Sequence, residues 1–371
     1  MSQGTCPYDS MEVGMETSII SHVDQGVGWL KLNRPKAINA LTLEMVESLY
    51  KILDTWRANS KVSLIIISGE GTKGLCAGGD MRSFYENRNK NVDEYAQRFF
   101  TTEYRLDWMI HQYPKSILVY MDGIVMGGGV GLSVGASERI VTEKTKWAMP
   151  EMHIGFFPDV GASYFLNQMP GHIGRYLALT GETITAADVL YVGAADRYME
   201  SSQWDTFIAE IQKQNWSLEN TKKQLSGLLD SICTLQPLES SLSEWQTRID
   251  KHFAYDTVEE IIQSLGLAAD AGDEWSLKTK KMIESKSPTS LKVTLSQMQR
   301  GESQSLISCF NMELALSMNF MKNHDFYEGV RSVLIDKDRN PQWDPKTFVE
   351  VSSEDVESYF HHPINVSHPI M

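Results

Sequence analysis

The sequence predicts a layered α/β fold with a helical C-terminal region. Short apolar runs rich in β-branched residues alternate with a helical pattern in the first part of the chain. Two of these runs lead directly into glycine-rich turns, at residues 69–80 and 123–131. Residues 202–323, in contrast, show polar-rich helical segments and no convincing strand. Strand, helix, strand and turn in succession, followed by helices alone, favour this class over an all-β fold.

A β-hairpin is expected first, because the apolar runs 17–23 and 27–32 flank the turn residues 24–26. The next element is a helix with Thr42 as its N-cap. Its buried face is predicted by apolar residues at spacings of three and four: Val46, Leu49, Leu53 and Trp56. A buried strand at 64–67 follows and leads into the first glycine turn.

A long helix is predicted over residues 92–113, after the polar residues 87–91. Its core-facing side carries large apolar residues: Phe99, Phe100, Tyr104, Trp108 and Met109. Glu103 interrupts this side. A carboxylate in that position either lies at the edge of the buried stripe or faces a cavity, and the residues alone leave both interpretations open.

Two carboxylates are placed by prolines downstream of the second glycine turn. Glu151 follows Pro150, and Asp159 follows Pro158 in the same manner. Both acids flank the apolar segment 154–157, so they are candidates for a raised pKa and for general acid/base chemistry. Alternatively, Asp159 is the N-cap of a helix that starts near residue 160.

The remaining elements are mostly helical. Two short strands are expected at 139–142 and 146–149. Helices are predicted at 171–180, 185–191, 203–215, 238–253, 257–271 and 288–301. The pattern divides the chain into an N-terminal tail (1–16), an α/β core (17–200), a helical region (201–350) and a terminal helix with a tail (351–371).

Composition and charge restrict the class of protein. The chain is 42% hydrophobic and 22% charged, as is typical of globular proteins. A formal net charge of −14 argues against nucleic-acid binding, because phosphates require a surface rich in Lys and Arg. No apolar run approaches the roughly 18 residues that a membrane span requires, so we expect no membrane partner. Residues 1–16 are acidic and show neither an apolar nor an Arg-rich segment, so we expect a cytoplasmic location.

The sequence predicts neither a metal site nor a cofactor. Four cysteines, Cys6, Cys76, Cys233 and Cys309, are scattered without a Cys-x-x-Cys pair, which indicates a reducing compartment and no zinc site. The histidines form no His-Glu-x-x-His pattern, so we expect no metal ligand set among them.

The glycine-rich turns are candidates for chemistry carried by the backbone. The second turn follows a buried strand at 117–121 and contains three consecutive glycines, 127–129. Without side chains, amides at a helix start can closely approach a carbonyl or anionic oxygen. Two such turns that face one oxygen would form an oxyanion hole, in which losing one donor raises the barrier by about 2.7–4 kcal/mol. A tight turn or close helix packing explains the glycines equally well.

Other catalytic motifs fit the sequence less well. Gly131-Leu-Ser133-Val-Gly135 matches the nucleophile elbow of serine hydrolases, but Ser133 lies several residues beyond the turn where an elbow serine sits. The second glycine turn lacks the Gly-x-Gly-x-x-Gly of dinucleotide-binding proteins. Residues 69–74 lack the Gly-Lys-Ser/Thr ending of a P-loop.

Several motifs resemble the crotonase (enoyl-CoA hydratase/isomerase) superfamily in order and spacing: Asn33-Arg-Pro-Lys-Ala-Ile-Asn-Ala-Leu41, Cys76-Ala-Gly-Gly-Asp80 and Gly123-Ile-Val-Met-Gly-Gly-Gly129. Others are similar to its 3-hydroxyisobutyryl-CoA hydrolases: Met149-Pro-Glu151, Phe157-Pro-Asp-Val-Gly161, His324-Asp-Phe-Tyr-Glu-Gly-Val-Arg331 and Leu334-Ile-Asp-Lys-Asp-Arg-Asn-Pro-Gln-Trp343. The resemblance covers residues 17–345. It implies a spiral of repeated β-β-α units and hydrolysis of an acyl-CoA thioester, with 3-hydroxyisobutyryl-CoA of valine catabolism as substrate.

The resemblance also implies roles for individual residues. The backbone amides of Gly79 and Gly128 would bind the thioester oxygen, while Glu151 would attack the carbonyl carbon or activate a water. Asp159 would bind the acyl 3-hydroxyl or place the water, and Glu103 would line the acyl pocket. CoA, which is part of the substrate and not a cofactor, would contact Lys36, Ala37, Ile38, Ala77, Gly78, Gly79 and Asp80.

Departures from the family patterns bear on the reaction. Enoyl-CoA hydratases carry a second glutamate three residues after the central oxyanion glycine, and here that position is Gly131. The missing acid/base pair favours hydrolysis over hydration. Residues 161–164 are less glycine-rich than the hydrolase pattern, which leaves the acyl preference open. An enoyl-CoA hydratase/isomerase and a CoA-binding homologue without catalysis are the alternatives.

The expected partner is a small acyl-CoA molecule. Because the chain is acidic, binding this anionic ligand requires a local basic patch, for which Arg34, Lys36 and Lys73 are the candidates. The sequence leaves the oligomeric state open, with a homo-oligomer among the options.

Overall fold

The structure is a computed structural model that describes residues 17–233, 239–361 and 370. The predicted N-terminal tail, Cys6 and most of the predicted C-terminal tail lie outside the described residues. The described strands are β1 Ile19–Asp24, β2 Val27–Leu32, β3 Leu64–Gly69, β4 Gly74–Cys76, β5 Ser116–Met121, β6 Ile124–Met126, β7 Glu138–Val141, β8 Lys146–Ala148, β9 Ile184–Thr185 and β10 Arg197–Tyr198.

The α-helices alternate with these strands at first and then continue without them. Those up to residue 191 are α1 Leu43–Ala58, α2 Met81–Asn87, α3 Val92–His111, α4 Gly128–Val134, α5 Ala162–Phe165, α6 Ile173–Thr180 and α7 Ala186–Tyr191. The others are α8 Trp204–Lys213, α9 Thr221–Ile232, α10 Ser241–Phe253, α11 Val258–Asp270, α12 Glu274–Glu284, α13 Pro288–Gly301, α14 Leu306–Phe320, α15 His324–Val330 and α16 Ser353–Ser358.

Two sheets are built from the strands. One has six strands in the order β1-β2-β3-β5-β7-β10, and the other has four in the order β4-β6-β8-β9. Neighbours in the six-stranded sheet are parallel except in the β1–β2 hairpin. In the four-stranded sheet, β4, β6 and β8 are parallel and β9 is antiparallel to β8.

The chain winds as a spiral of repeated β-β-α units. β3, β5 and β7 each enter the larger sheet, and the strand that follows each of them, β4, β6 or β8, enters the smaller sheet. Helices α2 and α3 follow β4, and α4 follows β6. The predicted class, an α/β spiral with a helical C-terminal region, is therefore confirmed.

Side chains alternate between the two faces of the larger sheet, so one strand contributes to two cores. Ile65 and Ile67 pack into a large core that contains residues of α1 and α3. Leu64 and Ile66 pack into a second core, whose other wall is formed by residues of α8 and α9. The C-terminal helices thus cover a sheet face from the first half of the chain.

Three short elements near the glycine turns were not predicted. β4 and β6 have three residues each, and they border Gly74 and Gly123, which by sequence indicate turns rather than strands. Helix α2 begins directly after Asp80 and has no side-chain cap. By contrast, the Thr42 side chain accepts a hydrogen bond from the Met45 amide and caps α1 as expected.

Candidate active site

The two glycine turns meet at one edge of the small sheet. β4 and β6 are parallel neighbours, so the segments that follow them leave the sheet side by side. A Cβ on Gly78 would lie 3.6 Å from both the Gly127 Cα and the Gly128 N. The backbone φ of Gly78 is +100° and that of Gly127 is +48°, which side chains rarely permit. Close approach and backbone conformation together explain why glycine occupies both positions.

Two backbone amides at this meeting point have no hydrogen-bond acceptor among the described residues. The Leu41 amide donates to the Gly78 carbonyl, and the Asp80 amide donates to the Leu41 carbonyl. In such a parallel bridge the intervening Gly79 amide points away from Leu41. Gly128 is the first residue of α4, so its amide has no acceptor within the helix. Neither amide has a hydrogen-bond acceptor elsewhere in the described part of the chain.

The carboxyl groups of Glu103 and Glu151 lie against the same glycines. A Cβ on Gly127 would lie 2.6 Å from the Glu151 Oε1, and a Cβ on Gly128 would lie 2.6 Å from the Glu103 Oε1. Glu103 is 2% exposed and Glu151 is 7% exposed. Of the two interpretations of Glu103, the structure therefore supports the one in which it faces inwards, beside the free amides.

Glu151 is carried by a short 3-10 turn, Pro150–Ile154, immediately after β8. A part-buried contact connects this turn to the loop between α12 and α13, because the His153 Nδ1 lies 2.5 Å from the Lys286 Nζ. Burial lowers the pKa of His153 to about 4 and that of Lys286 to about 8. His153 is thus a neutral acceptor for the ammonium group of Lys286.

Asp159 is not a helix cap. Helix α5 begins at Ala162 and has Gly161 as its N-cap residue, with no side-chain cap hydrogen bond. Instead, the Tyr104 hydroxyl donates to the Asp159 Oδ2 at 2.8 Å, in a buried contact. The N-cap interpretation is therefore wrong, and the carboxyl group of Asp159 faces α3, the helix that also carries Glu103.

Burial and mutual repulsion raise the pKa values of these acids. Loss of solvation raises the pKa of Glu103 and of Glu151 well above the usual carboxyl range, and the neighbouring Asp159 raises both further. Burial raises the pKa of Asp159 to about 7, although the hydrogen bond from Tyr104 opposes the shift. Within the described chain none of the three forms a salt bridge. A carboxyl group whose pKa lies near neutrality can both take up and release a proton at physiological pH, as general acid/base catalysis requires.

Two further buried acids border the site, and neither was identified from the sequence as a site residue. Asp107 lies one helical turn after Glu103, and a Cβ on Gly131 would be only 2.7 Å from its Oδ2. Glu313 on α14 accepts a hydrogen bond from the Gly161 amide, two residues after Asp159. Asp107 could have been identified from its i, i+4 spacing to Glu103, which places both acids on the same side of a helix rich in aromatic residues. No local pattern marks Glu313.

The residues expected to hold CoA lie together. Lys36 and Ala37 belong to the 3-10 turn Pro35–Ala37, and Ile38 follows with a φ of +50°, a strained conformation for a β-branched residue. The Ala77 amide donates to the Ile38 carbonyl at 2.9 Å, which ties this turn to residues 77–80.

The expected basic patch is partly neutralised. Arg34 pairs with Asp80 at 3.1 Å, whereas Lys36 and Lys73 form no salt bridge with any described residue. Of the three candidates for the patch, Lys36 and Lys73 are therefore the ones whose charge remains available to an anionic ligand.

The competing serine is buried in the packing of α4. The Ser133 hydroxyl donates to the Val130 carbonyl of its own helix at 2.9 Å, and the residue is 1% exposed. Within the described chain there is no cluster of three or more His, Cys, Asp or Glu side chains suited to a metal ion. Nor is any helix in that part of the chain long and apolar enough to cross a membrane.

Curated relatives align with most of this chain. A 3-hydroxyisobutyryl-CoA hydrolase of Gallus gallus is 43% identical over 340 residues, which is 90% of this chain and 86% of the relative. The enzyme of the same name from Homo sapiens is 40% identical over 338 residues, with the same two coverages. These relatives are named as mitochondrial. The expectation of a cytoplasmic location is therefore wrong, because the composition of residues 1–16, on which it rested, is weak evidence of compartment beside relatives of this similarity.

Solved structures agree with the fold and the family. A carnitinyl-CoA dehydratase from Mycobacterium thermoresistibile is 37% identical, with a TM-score of 0.87 over 95% of this chain and 98% of that one. An enoyl-CoA hydratase from Rhodobacter sphaeroides is 32% identical, with a TM-score of 0.83 over 93% and 97%. The family model described as enoyl-CoA hydratase/isomerase matches residues 27–360. The chain therefore belongs to the enoyl-CoA hydratase/isomerase (crotonase) family, within which its curated relatives are 3-hydroxyisobutyryl-CoA hydrolases.

Proposed function

We propose that this chain hydrolyses the thioester of 3-hydroxyisobutyryl-CoA, giving 3-hydroxyisobutyrate and CoA. Support comes from the names of relatives that share up to 43% of its residues over 90% of its length. The reaction requires no cofactor, since CoA is part of the substrate. By the same similarity, the enzyme would act in mitochondria and in valine catabolism.

One observation carries the proposal: the free amides of Gly79 and Gly128 lie beside the buried carboxyl group of Glu151. In the proposed reaction the two amides bind the thioester oxygen and stabilise the negative charge that develops on it. The ionised Glu151 then attacks the carbonyl carbon, giving an anhydride that water opens, or it takes a proton from an attacking water. By either route the C–S bond breaks, water supplies the carboxylate oxygen, and the leaving thiolate takes up a proton.

Hydration of an enoyl-CoA is the second candidate, because the two solved structures above are titled as a dehydratase and a hydratase. The surroundings of Gly131 argue against it. A Cβ there would lie 2.7 Å from the Asp107 Oδ2 and 2.9 Å from the Val160 Cβ. A glutamate, which the hydratase pattern requires at this position, has no room, so the second member of an acid/base pair is missing.

CoA release from three thioesters tests the proposal. Rapid thiol release from 3-hydroxyisobutyryl-CoA, with or without release from 3-hydroxypropionyl-CoA, is the expected result. Glu151→Gln should lower kcat by about 10²-fold or more, whereas the same change at the exposed Glu302 and the substitution Ser133→Ala should leave it within about two-fold. Hydration of crotonyl-CoA without hydrolysis would favour the second candidate. Binding without turnover would indicate a CoA-binding homologue.

A further inference from the structure

The turn that carries Asp159 has a strained backbone. Val160 has a φ of +54° and Gly161 has a φ of +89°. A β-branched residue at positive φ is a real outlier, and such a conformation persists only where the surroundings over-determine it. Val160 is also buried, at 1% exposure. The groups that hold this turn therefore decide where Asp159 points.

Glu313 on α14 accepts three hydrogen bonds from the turn. The Gly161 amide donates to its Oε2 at 2.7 Å, and the Ser163 amide donates to its Oε1 at 2.9 Å. The Ser163 hydroxyl also donates to the Oε1, at 2.6 Å. All of these atoms are buried, and Glu313 itself is fully inaccessible to solvent. Burial raises the pKa of Glu313 to about 8, and the three donors that converge on its carboxyl group oppose this shift because they stabilise the ionised form.

Helix α13 completes the contact through Gln297. Its side-chain amide donates to the Pro158 carbonyl at 2.6 Å and to the Ser163 hydroxyl oxygen at 2.9 Å. Because Gln297 fills an acceptor position on Ser163, the proton of that hydroxyl faces Glu313. The backbone on both sides of Asp159 is thus bonded to side chains from the C-terminal helices.

The same helix also orients the carboxyl group of Asp159. Ser317 lies one helical turn after Glu313 and therefore on the same face of α14. Its hydroxyl is 2.7 Å from the Tyr104 hydroxyl, which in turn donates to the Asp159 Oδ2 at 2.8 Å. One face of α14 thus fixes the backbone after Asp159 and, through Tyr104, the side chain as well.

We propose that Glu313 is a positioning residue of the hydrolase, whose carboxyl group holds the Asp159 turn in the conformation that directs Asp159 into the acyl pocket. Within the described chain the side-chain hydrogen bonds of Glu313 all go to the turn, so we assign it no contact with the substrate. The inference rests on the proposed thioesterase function, because it concerns the rate of that reaction. It makes α14 part of the active site, although Glu313 lies 152 residues after Gly161 in sequence.

Glu313→Gln is the sharpest test, because it preserves shape but provides only one acceptor oxygen for three donors. Its amide nitrogen would face an N–H donor of the turn. We expect kcat for 3-hydroxyisobutyryl-CoA to fall by about 10-fold to 10²-fold and KM to stay within about three-fold. Hydrogen exchange at the amides of Gly161 and Ser163 should become faster. Asn319→Ala is the matched control, since its side chain on the same helix bonds the carbonyls of Tyr359 and His361 and not the turn.

A milder variant keeps the test informative if Glu313→Gln does not fold. Ser163→Ala removes one of the three donors and leaves both backbone hydrogen bonds, so we expect the same pattern at smaller size: a lower kcat and an unchanged KM. The proposal is overturned if folded Glu313→Gln or Ser163→Ala matches Asn319→Ala in kcat and KM, or if exchange at residues 161 and 163 is unchanged. A wild-type chain that releases no CoA would refute the proposed function, and hydrogen exchange would still decide the role of Glu313.

Discussion

At the scale of single residues, Gly128 occupies one of the tight points of the site. A Cβ added there would lie 2.6 Å from the Glu103 Oε1 and 3.0 Å from the Leu41 Cδ1. We expect Gly128→Ala to push the Glu103 carboxyl group aside or to displace the start of α4, and so to disturb the amide proposed to bind the thioester oxygen. The loss in kcat should be about 10²-fold or more, as for other lost oxyanion donors.

The chain offers a matched glycine for this experiment. A Cβ on Gly227, within α9, meets nothing within 4 Å. Gly227→Ala should keep full activity and stabilise the fold by roughly 0.5–1 kcal/mol, because alanine loses less backbone entropy in a helix. CoA release and urea denaturation measure both variants. Equal activity of the two would contradict a role for the Gly128 amide.

Asp107 gives a prediction about stability. Burial raises its pKa well above the usual range, and neither carboxyl oxygen has a hydrogen-bond partner among the described residues. Between the ordinary and the raised pKa the folded chain keeps a proton that the unfolded chain has lost. The free energy of unfolding therefore falls as the pH rises through this window. Asp107→Asn, which has no proton to lose, should remove part of that fall.

Urea denaturation at about pH 5.5 and about pH 8.5 measures this effect. The free energy of unfolding of Asp107→Asn minus that of the wild type should be larger at the higher pH than at the lower pH. Asp270→Asn, the same change at an exposed position, should show no such difference. A shift of equal size at both pH values would mean that Asp107 does not hold a proton in the folded state.

At the scale of elements, helix α1 depends on its cap. Thr42 accepts a hydrogen bond from the Met45 amide at 3.3 Å. Thr42→Ala should cost about 1 kcal/mol in the free energy of unfolding, because an amide of the first turn loses its acceptor. Thr55→Ala, on the exposed face of the same helix, should cost nothing or stabilise slightly. Denaturant titration of both variants checks the difference, and equal losses would contradict the capping role.

Elements with a clear period were predictable. The spacing of Leu49 and Leu53 in α1 and the apolar run of β3 have the periods of a helix and a buried strand. α1 was found with its predicted cap, Thr42, and β3 starts at its predicted first residue and ends two residues later than predicted. β4 and β6 were not predictable, because three-residue strands among glycines have no period to detect. Their pairing is decided by the sheet that they join.

The site was predictable only in part, for a related reason. Glu151 and Asp159 stand out locally, since each follows a proline beside an apolar segment. Glu103 left two interpretations open, and only the contact with α4 distinguishes them. Asp107 and Glu313 acquire their surroundings from packing between helices far apart in sequence. Charged residues within a helical pattern usually lie on the solvent-exposed face, so no local sequence feature distinguishes these acids from ordinary surface residues.

At the scale of the whole molecule, the buried acids predict the pH dependence of turnover. Five carboxyl groups are collected around one site: Glu103, Asp107, Glu151, Asp159 and Glu313. The proposed chemistry requires an ionised carboxylate, and acidification protonates a group of raised pKa first. We therefore expect kcat/KM to decline as the pH falls through the raised pKa values of the coupled Glu151 and Asp159, the latter at about 7.

A pH–rate profile of CoA release checks this expectation. The acidic limb should lie well above the range of an exposed carboxyl group, and Asp159→Asn should move it. A kcat/KM that stays constant down to about pH 5 would contradict the raised pKa values.

The bonds between the Asp159 turn and α13 and α14 have a consequence for the order in which the molecule matures during synthesis. A nascent chain emerges from the ribosome with its N-terminal strands first, and these can begin to pair at once. The acceptor for the Gly161 and Ser163 amides emerges only with residue 313. Polypeptides truncated before that point would retain both glycine turns yet lack the Glu313 acceptor for the Asp159 turn, so competence for turnover would arise late in translation.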